Sequence, residues 1–247
     1  MAEQSTKIKH RPWNTQVFMK QLMAISGVLF VLFLLMHSYG NLKVLLGPDA
    51  YNGYAHHLRT FLMPILPYEG LLWILRVGLV VLVVVHFICA YYLWWRASRA
   101  RGSIKYDKKQ NVVNNYATRT VRVGSILVVL FVLFHLLHFT GKAVRIGASN
   151  DYTQMVTVDG EQIPNVYAMM AATFNVDNWW ALIIYVIAVG VVGLHIGHGV
   201  WSGLQTMGWL RENTRHVIVV ISGLIGFAVF ALFTIPPVYL LITSAMA

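Results

Sequence analysis

The sequence predicts an all-α integral membrane protein built as a bundle of five transmembrane helices. Three observations carry this: a very apolar composition, five apolar runs of membrane-spanning length, and a one-sided distribution of Lys and Arg between the connections. Of the 247 residues, 57% are hydrophobic and 11% charged, and the mean hydropathy is +0.62. Such a chain is too apolar for a water-soluble domain. No stretch between the runs is long enough to bury a core of its own, so residues 1–247 read as a single membrane domain.

A bilayer core takes roughly 20 apolar residues per helix. The runs at about 21–40, 71–95, 122–141, 179–203 and 217–244 meet that need. The first starts at Gln21 and reaches His37 with no small-residue cleavage site after it, so it is expected to be a retained helix. The second holds the single cysteine, Cys89, which has no partner for an internal disulfide and is expected to be a small packing residue. The fifth contains Pro236-Pro237, expected to kink it or to end its regular part near Thr234. Its Ser222, Gly223 and Gly226 are small enough to let a neighbouring helix approach.

The connections read as follows. Tyr51, Asn52, Tyr54, His56, His57 and Arg59 form a short amphipathic pattern, expected to be a helix lying at the outer face. The run Val156 to Glu161 fits either a short hairpin turning at Asp159-Gly160 or a plain surface loop. The aromatic clusters Tyr91, Tyr92, Trp94, Trp95 and Trp179, Trp180 stand where interfacial anchors belong.

Orientation follows from the cations. Lys7, Lys9, Arg11 and Lys20, then Arg96, Arg99, Arg101, Lys105, Lys108, Lys109, Arg119 and Arg122, then Arg211 and Arg215, all fall on one side. Only Lys43, Arg59, Lys142 and Arg145 fall on the other. The positive-inside rule therefore puts the N-terminus in the cytoplasm and the C-terminus outside. The same asymmetry accounts for the net charge of +10, which in a soluble protein would point to nucleic acid.

Four of the five runs each carry a histidine well inside: His37, His86, His135 and His195. An imidazole is expensive in hydrocarbon and usually functional, and four on separate helices can supply two pairs of axial ligands. Depth sorts them. Counted from each midpoint at about 1.5 Å per residue, His37 and His135 lie roughly 10 Å and 5 Å toward the outside, whereas His86 and His195 lie roughly 5 Å and 6 Å toward the cytoplasm. The expectation is two haems b between the first four helices, with His37 and His135 on the outer iron and His86 and His195 on the inner. His138 and His198, each one helical turn from a chosen ligand, are expected to support the haems near the outer water and the inner boundary respectively. Arg76, the one charged side chain well inside a run, is level with the outer pair and is expected to hold a haem propionate, with Lys43, His56 and Arg59 serving the same haem from the loop. Gly27, Gly78, Gly124, Gly193 and Gly197 are expected to open space for a flat macrocycle. Two quinone locations fit: an inner one near Ser26, Arg96, Trp201 and Ser202, and an outer one near Arg76 and Glu69.

Several stretches carry a family likeness: Ser26-Gly27 through Leu35-Met36-His37, Asn52-Gly53-Tyr54-Ala55-His56 leading to Leu58-Arg59, Arg122-Val123-Gly124 followed by Phe134-His135-Leu136-Leu137-His138-Phe139, and Leu194-His195-Ile196-Gly197-His198-Gly199-Val200-Trp201-Ser202. Across essentially its whole length the chain resembles the single-polypeptide, five-helix dihaem cytochrome b anchor of succinate dehydrogenases and fumarate reductases. The resemblance implies the same ligand pairs that depth does. It further implies a bacterial cytoplasmic membrane, a flavoprotein partner carrying FAD and an iron–sulfur partner on the cytoplasmic side, and electron exchange with a membrane quinone, menaquinone in the first instance. Dicarboxylate chemistry would then belong to the flavoprotein, and this chain would be electron-transferring and quinone-reactive. The chain departs from some of these proteins in having Gly193 where they carry a glutamate two residues before the fourth ligand, which argues against a proton path through that helix. Two other readings fit the residues: a dihaem cytochrome b of another membrane-bound dehydrogenase, and a haem-free transporter whose histidines relay protons.

Overall fold

The computed structural model describes residues 15–100 and 114–246. Lys7, Lys9, Arg11, Arg101, Lys105, Lys108 and Lys109 lie outside the described residues, as do the side chains of Arg119 and Arg122. The fold is mostly helical, and five of its helices are long and apolar enough to cross a membrane.

The elements in order are α1 (Gln16–Leu42), α2 (Pro48–Thr60), α3 (Gly70–Ala100), α4 (Asn114–His135), the strands β1 (Met155–Val158) and β2 (Glu161–Pro164), then α5 (Val166–Thr173), α6 (Trp179–Thr206) and α7 (Arg215–Met246). Local chemistry sets their limits. Thr15 caps α1 by accepting the Phe18 N–H at 3.2 Å, and α2 starts on a proline after Gly47 at φ 92°. The helix of α4 continues past His135 as a π turn, Leu136–Thr140.

The spanning helices are inverted relative to those of a soluble protein. The buried positions of α1 are Ser26, Ser38 and Gly40, while Leu29, Leu32 and Met36 face outward. That is the pattern expected when the solvent is lipid and helices meet through small residues. The tightest pair is α6 with α7. A Cβ built on Gly193 would stand 2.7 Å from the Gly226 carbonyl oxygen, and one on Gly197 3.2 Å from that of Ser222. Gly193 and Gly197 therefore serve close packing of α7, not space for a macrocycle. Around this pair, α3 packs on α1, α1 on α6 and α7, and α4 on α6.

One end of the bundle, the outer one in the orientation that the charges predict, is closed by a cap of α2, the hairpin and α5. Asn52 of α2 laces it: its amide donates to Asn165 Oδ1 at 3.0 Å, and its carbonyl accepts the Tyr167 N–H at 3.1 Å. Beneath lies the apolar core of Val44, Met170, Phe174, Tyr185 and Leu240.

The structure decides three points. Of the two readings left open for Val156 to Glu161 the hairpin is the one formed, with Val158 opposite Glu161 and positive φ at both Asp159 (51°) and Gly160 (83°), so the chain is not wholly helical. Those two positive φ angles belong to the type I′ turn that a tight hairpin favours. Pro236-Pro237 does not end α7, which runs through to Met246 with both prolines buried. Packing on α6 and α1, and the anchoring of the far end by a hydrogen bond from Val176 N–H to Ser244 Oγ (3.2 Å), hold it together where proline removes backbone donors. His138 is fully buried beneath side chains of the connection between α4 and α6, as described below.

Candidate functional site

α3 and α6 bring His86 and His195 together, with ring centres 6.4 Å apart and planes at 66°. Neighbouring helices supply their partners. Ser26 Oγ of α1 donates its one proton to the Met23 carbonyl at 2.9 Å, so toward His86 Nδ1, 2.8 Å away, it can only accept. His86 therefore carries its proton on Nδ1 and keeps the Nε2 lone pair free. Ser125 Oγ of α4 stands 3.5 Å from His195 Nδ1. A hydrogen bond to one ring nitrogen that orients the other is what a ligating histidine needs. A Cβ on Gly27 would sit 3.8 Å from His86 Cε1, so this glycine borders the His86 ring.

α1 and α4 bring His37 and His135 together, 5.9 Å apart with planes at 82°. Their walls are aromatic: Phe33 stacks on His37 at 5.3 Å, Phe233 lies 5.5 Å away, and Phe131, Phe139 and Tyr185 surround His135 at 5.9, 5.5 and 6.4 Å. His135 Nδ1 is buried with no hydrogen-bond partner.

Two imidazole nitrogens bonded to one iron at about 2 Å each, and each about 1.1 Å from its ring centre, would put the ring centres about 6 Å apart, and the observed separations of 5.9 and 6.4 Å are near that value. Among the described residues no three His, Cys, Asp or Glu side chains gather around a common point.

The neighbouring histidines are placed differently. His138 has both ring nitrogens engaged, Nδ1 with Tyr185 Oη at 2.7 Å and Nε2 with Tyr152 Oη at 2.6 Å. His198 lies against Trp201, ring centres 5.7 Å apart.

At the cap end, Glu69 sits between two arginines, 2.9 Å from Arg59 Nε and 3.4 Å from Arg76 Nη1, and Arg76 also covers the Trp73 ring. Lys142 shares this neighbourhood. Burial, with the charges of Arg59 and Arg145, pulls its ammonium below the ordinary lysine range, and Glu69 only partly offsets them. The cluster thus holds more cations than one carboxylate can balance. Lys43 stands apart, over the Tyr39 ring at 4.7 Å, and the buried His56 faces Glu161 at 4.0 Å.

The quinone candidates do not gather in one place. Ser26 is committed to His86, and Arg96 to the Tyr92 hydroxyl at 3.0 Å. Trp201 lines an open depression of about 300 Å³ with Gln205, Leu210, Arg211, Glu212 and Arg215, and its indole nitrogen is buried without a partner. Ser202 is half-buried and does not line that depression, and Glu69 belongs to the arginine cluster.

Sequence reasoning missed Ser125, Tyr185, Tyr152 and Thr173. Ser125 and Tyr185 carried no local signal, since each meets a histidine of another helix and stands ten residues, roughly 15 Å, from the one on its own. Tyr152 and Thr173 come from the outer connection, where hydropathy is silent. Comparison with family models, curated proteins and solved structures gave no match.

Proposed function

We propose that this chain is the dihaem cytochrome b membrane anchor of a succinate:quinone oxidoreductase, working with a flavoprotein and an iron–sulfur subunit on its cytoplasmic side. The observation that carries this is the pairing of four intramembrane histidines into two sets at 5.9 and 6.4 Å, each set drawn from two different helices. Two haems b held there would supply one-electron carriers at two depths of the membrane. His37 and His135 would hold one of them, and His86 and His195 the other.

The chain's own residues orient and tune. Ser26 keeps the Nε2 lone pair of His86 available, and Ser125 faces His195 Nδ1 at 3.5 Å. Phe33, Phe131, Phe139 and Phe233 keep water from the outer pair. Arg59, Arg76 and Lys142, with only Glu69 among them, offer propionate-sized anions a counter-charge at the cap end. The menaquinone site is assigned to neither face.

The test is spectroscopic. The complex purified through this chain is expected to hold two b-type haems per chain, with an alpha band in the reduced-minus-oxidised spectrum. His37→Ala or His135→Ala is expected to remove one haem and leave the other. A preparation with the chain intact and no b-type band would sink the reading and favour a haem-free proton-coupled transporter. Flavin and iron–sulfur subunits of another dehydrogenase in the same preparation would keep the haems and replace the partner.

A further inference from the structure

His138 is the buried titratable group that neither pair uses. It is 0% exposed and stands on the π turn directly after His135. Besides Tyr185 and Tyr152, its Nε2 has Thr173 Oγ1 at 3.3 Å. The protons of this cluster can be assigned by requiring that every donor and acceptor be paired. Thr173 donates to the Met169 carbonyl at 2.8 Å, and Tyr152 to the Ile146 carbonyl at 3.1 Å while accepting the Ile146 N–H at 3.0 Å. With those protons committed, Tyr152 and Thr173, themselves 3.2 Å apart, both accept toward His138, which assigns the imidazole proton to Nε2. Nδ1 is then the acceptor of the Tyr185 hydroxyl. His138 is neutral and has no lone pair to spare.

Tyr185 is the link to the histidine pair. Its hydroxyl is fixed by His138, while its ring lies 6.4 Å from that of His135 and is wedged among Phe131, Phe134, Phe139 and Phe174 at 5.1–5.9 Å. We infer that the Tyr185–His138 hydrogen bond is a positioning device for His135: it holds the tyrosine ring against that imidazole and, by filling both nitrogens of His138, keeps the nearer competitor from serving as ligand. The inference rests on the haem reading above. Its effect is confined to one pair, because Tyr185 is ten residues along α6 from His195, roughly 15 Å.

Tyr185→Phe in the intact complex removes the hydroxyl and keeps the ring. The readouts are haem content, the midpoint potential of each haem, and the low-spin electron paramagnetic resonance line of each. Both haems are expected to stay. The reduction equilibrium of the haem on His37 and His135 is expected to change at least threefold, about 30 mV for one electron, with a moved resonance line, while the other haem stays where it was. Loss of the His37–His135 haem alone also supports the inference. Thr243→Val removes a hydroxyl that donates within its own helix, to the Tyr239 and Leu240 carbonyls at 3.0 Å each, and leaves the His138 cluster intact, so it is expected to leave both potentials unchanged. Four results would overturn the proposal: no change in Tyr185→Phe, equal shifts in both haems, the same shift in Thr243→Val, or loss of the whole complex, which would make the bond a folding element. A wild-type complex without haem would instead fail the underlying reading.

Discussion

Lys142 shows how a single residue reports on the cap. Its ammonium is held below 10.5 by burial and by Arg59 and Arg145. Between that lowered value and 10.5 the unfolded chain keeps the proton that the folded one has lost, so the contribution of Lys142 to stability rises with pH across that window. Competitive acylation is expected to show Lys142 gaining reactivity at a lower pH than a free lysine side chain added as the internal standard; equal midpoints would remove the cluster as a source of positive potential. At the same scale the difference between His135 and His138 was not legible in the sequence. Three residues apart on a regular helix, they share a face, and no periodicity distinguishes them. What separates them is the identity of their partners: Tyr152 and Thr173 arrive from a connection more than ten residues away, and only the folded chain shows that they saturate His138. The tautomer of His86 was equally hidden, although Ser26 and His86 could each be picked out singly.

At the scale of elements, the spans were legible because hydropathy measures what lipid demands, and the observed helices overlap every expected run, extending it by a few polar residues at most ends. The Asp159-Gly160 pair was legible as a turn for a local reason, since both residues tolerate positive φ. The tandem prolines left a kink or an end of α7 open, and the end is excluded because the helix, packed against two others, continues past them to Met246. Helix contact through glycine gives a direct test. Gly193→Val forces its side chain into the backbone of α7 at Gly226 and is expected to cost about 1–3 kcal/mol, read as earlier thermal unfolding in detergent. Gly78→Val, where a Cβ would meet nothing within 4 Å, is the expected neutral control.

For the whole molecule, five helices that each crossed a membrane once would put Gln16 and Met246 on opposite sides. The buried position of Cys89 gives a clean background for labelling, since it is the one cysteine and only 2% exposed. Asp159→Cys on the hairpin is expected to react with a membrane-impermeant maleimide in whole cells, and Arg215→Cys only after permeabilisation. The reverse would invert the orientation and exchange which histidine pair faces the partners. The pairing itself would stand, because it depends on helix packing and not on which way up the bundle lies.

The π turn carries a consequence for how such a chain can change. Removing Leu136 or Leu137 would leave composition and hydropathy almost untouched, yet everything after the deletion would swing by about 100° around the helix axis. His135, lying before it, would keep its direction, while His138 would lose its tyrosines and the whole outer connection would change phase against the bundle. The outer site is thus specified by a count of residues as much as by their kinds, and a single-codon deletion there would do what no conservative substitution can.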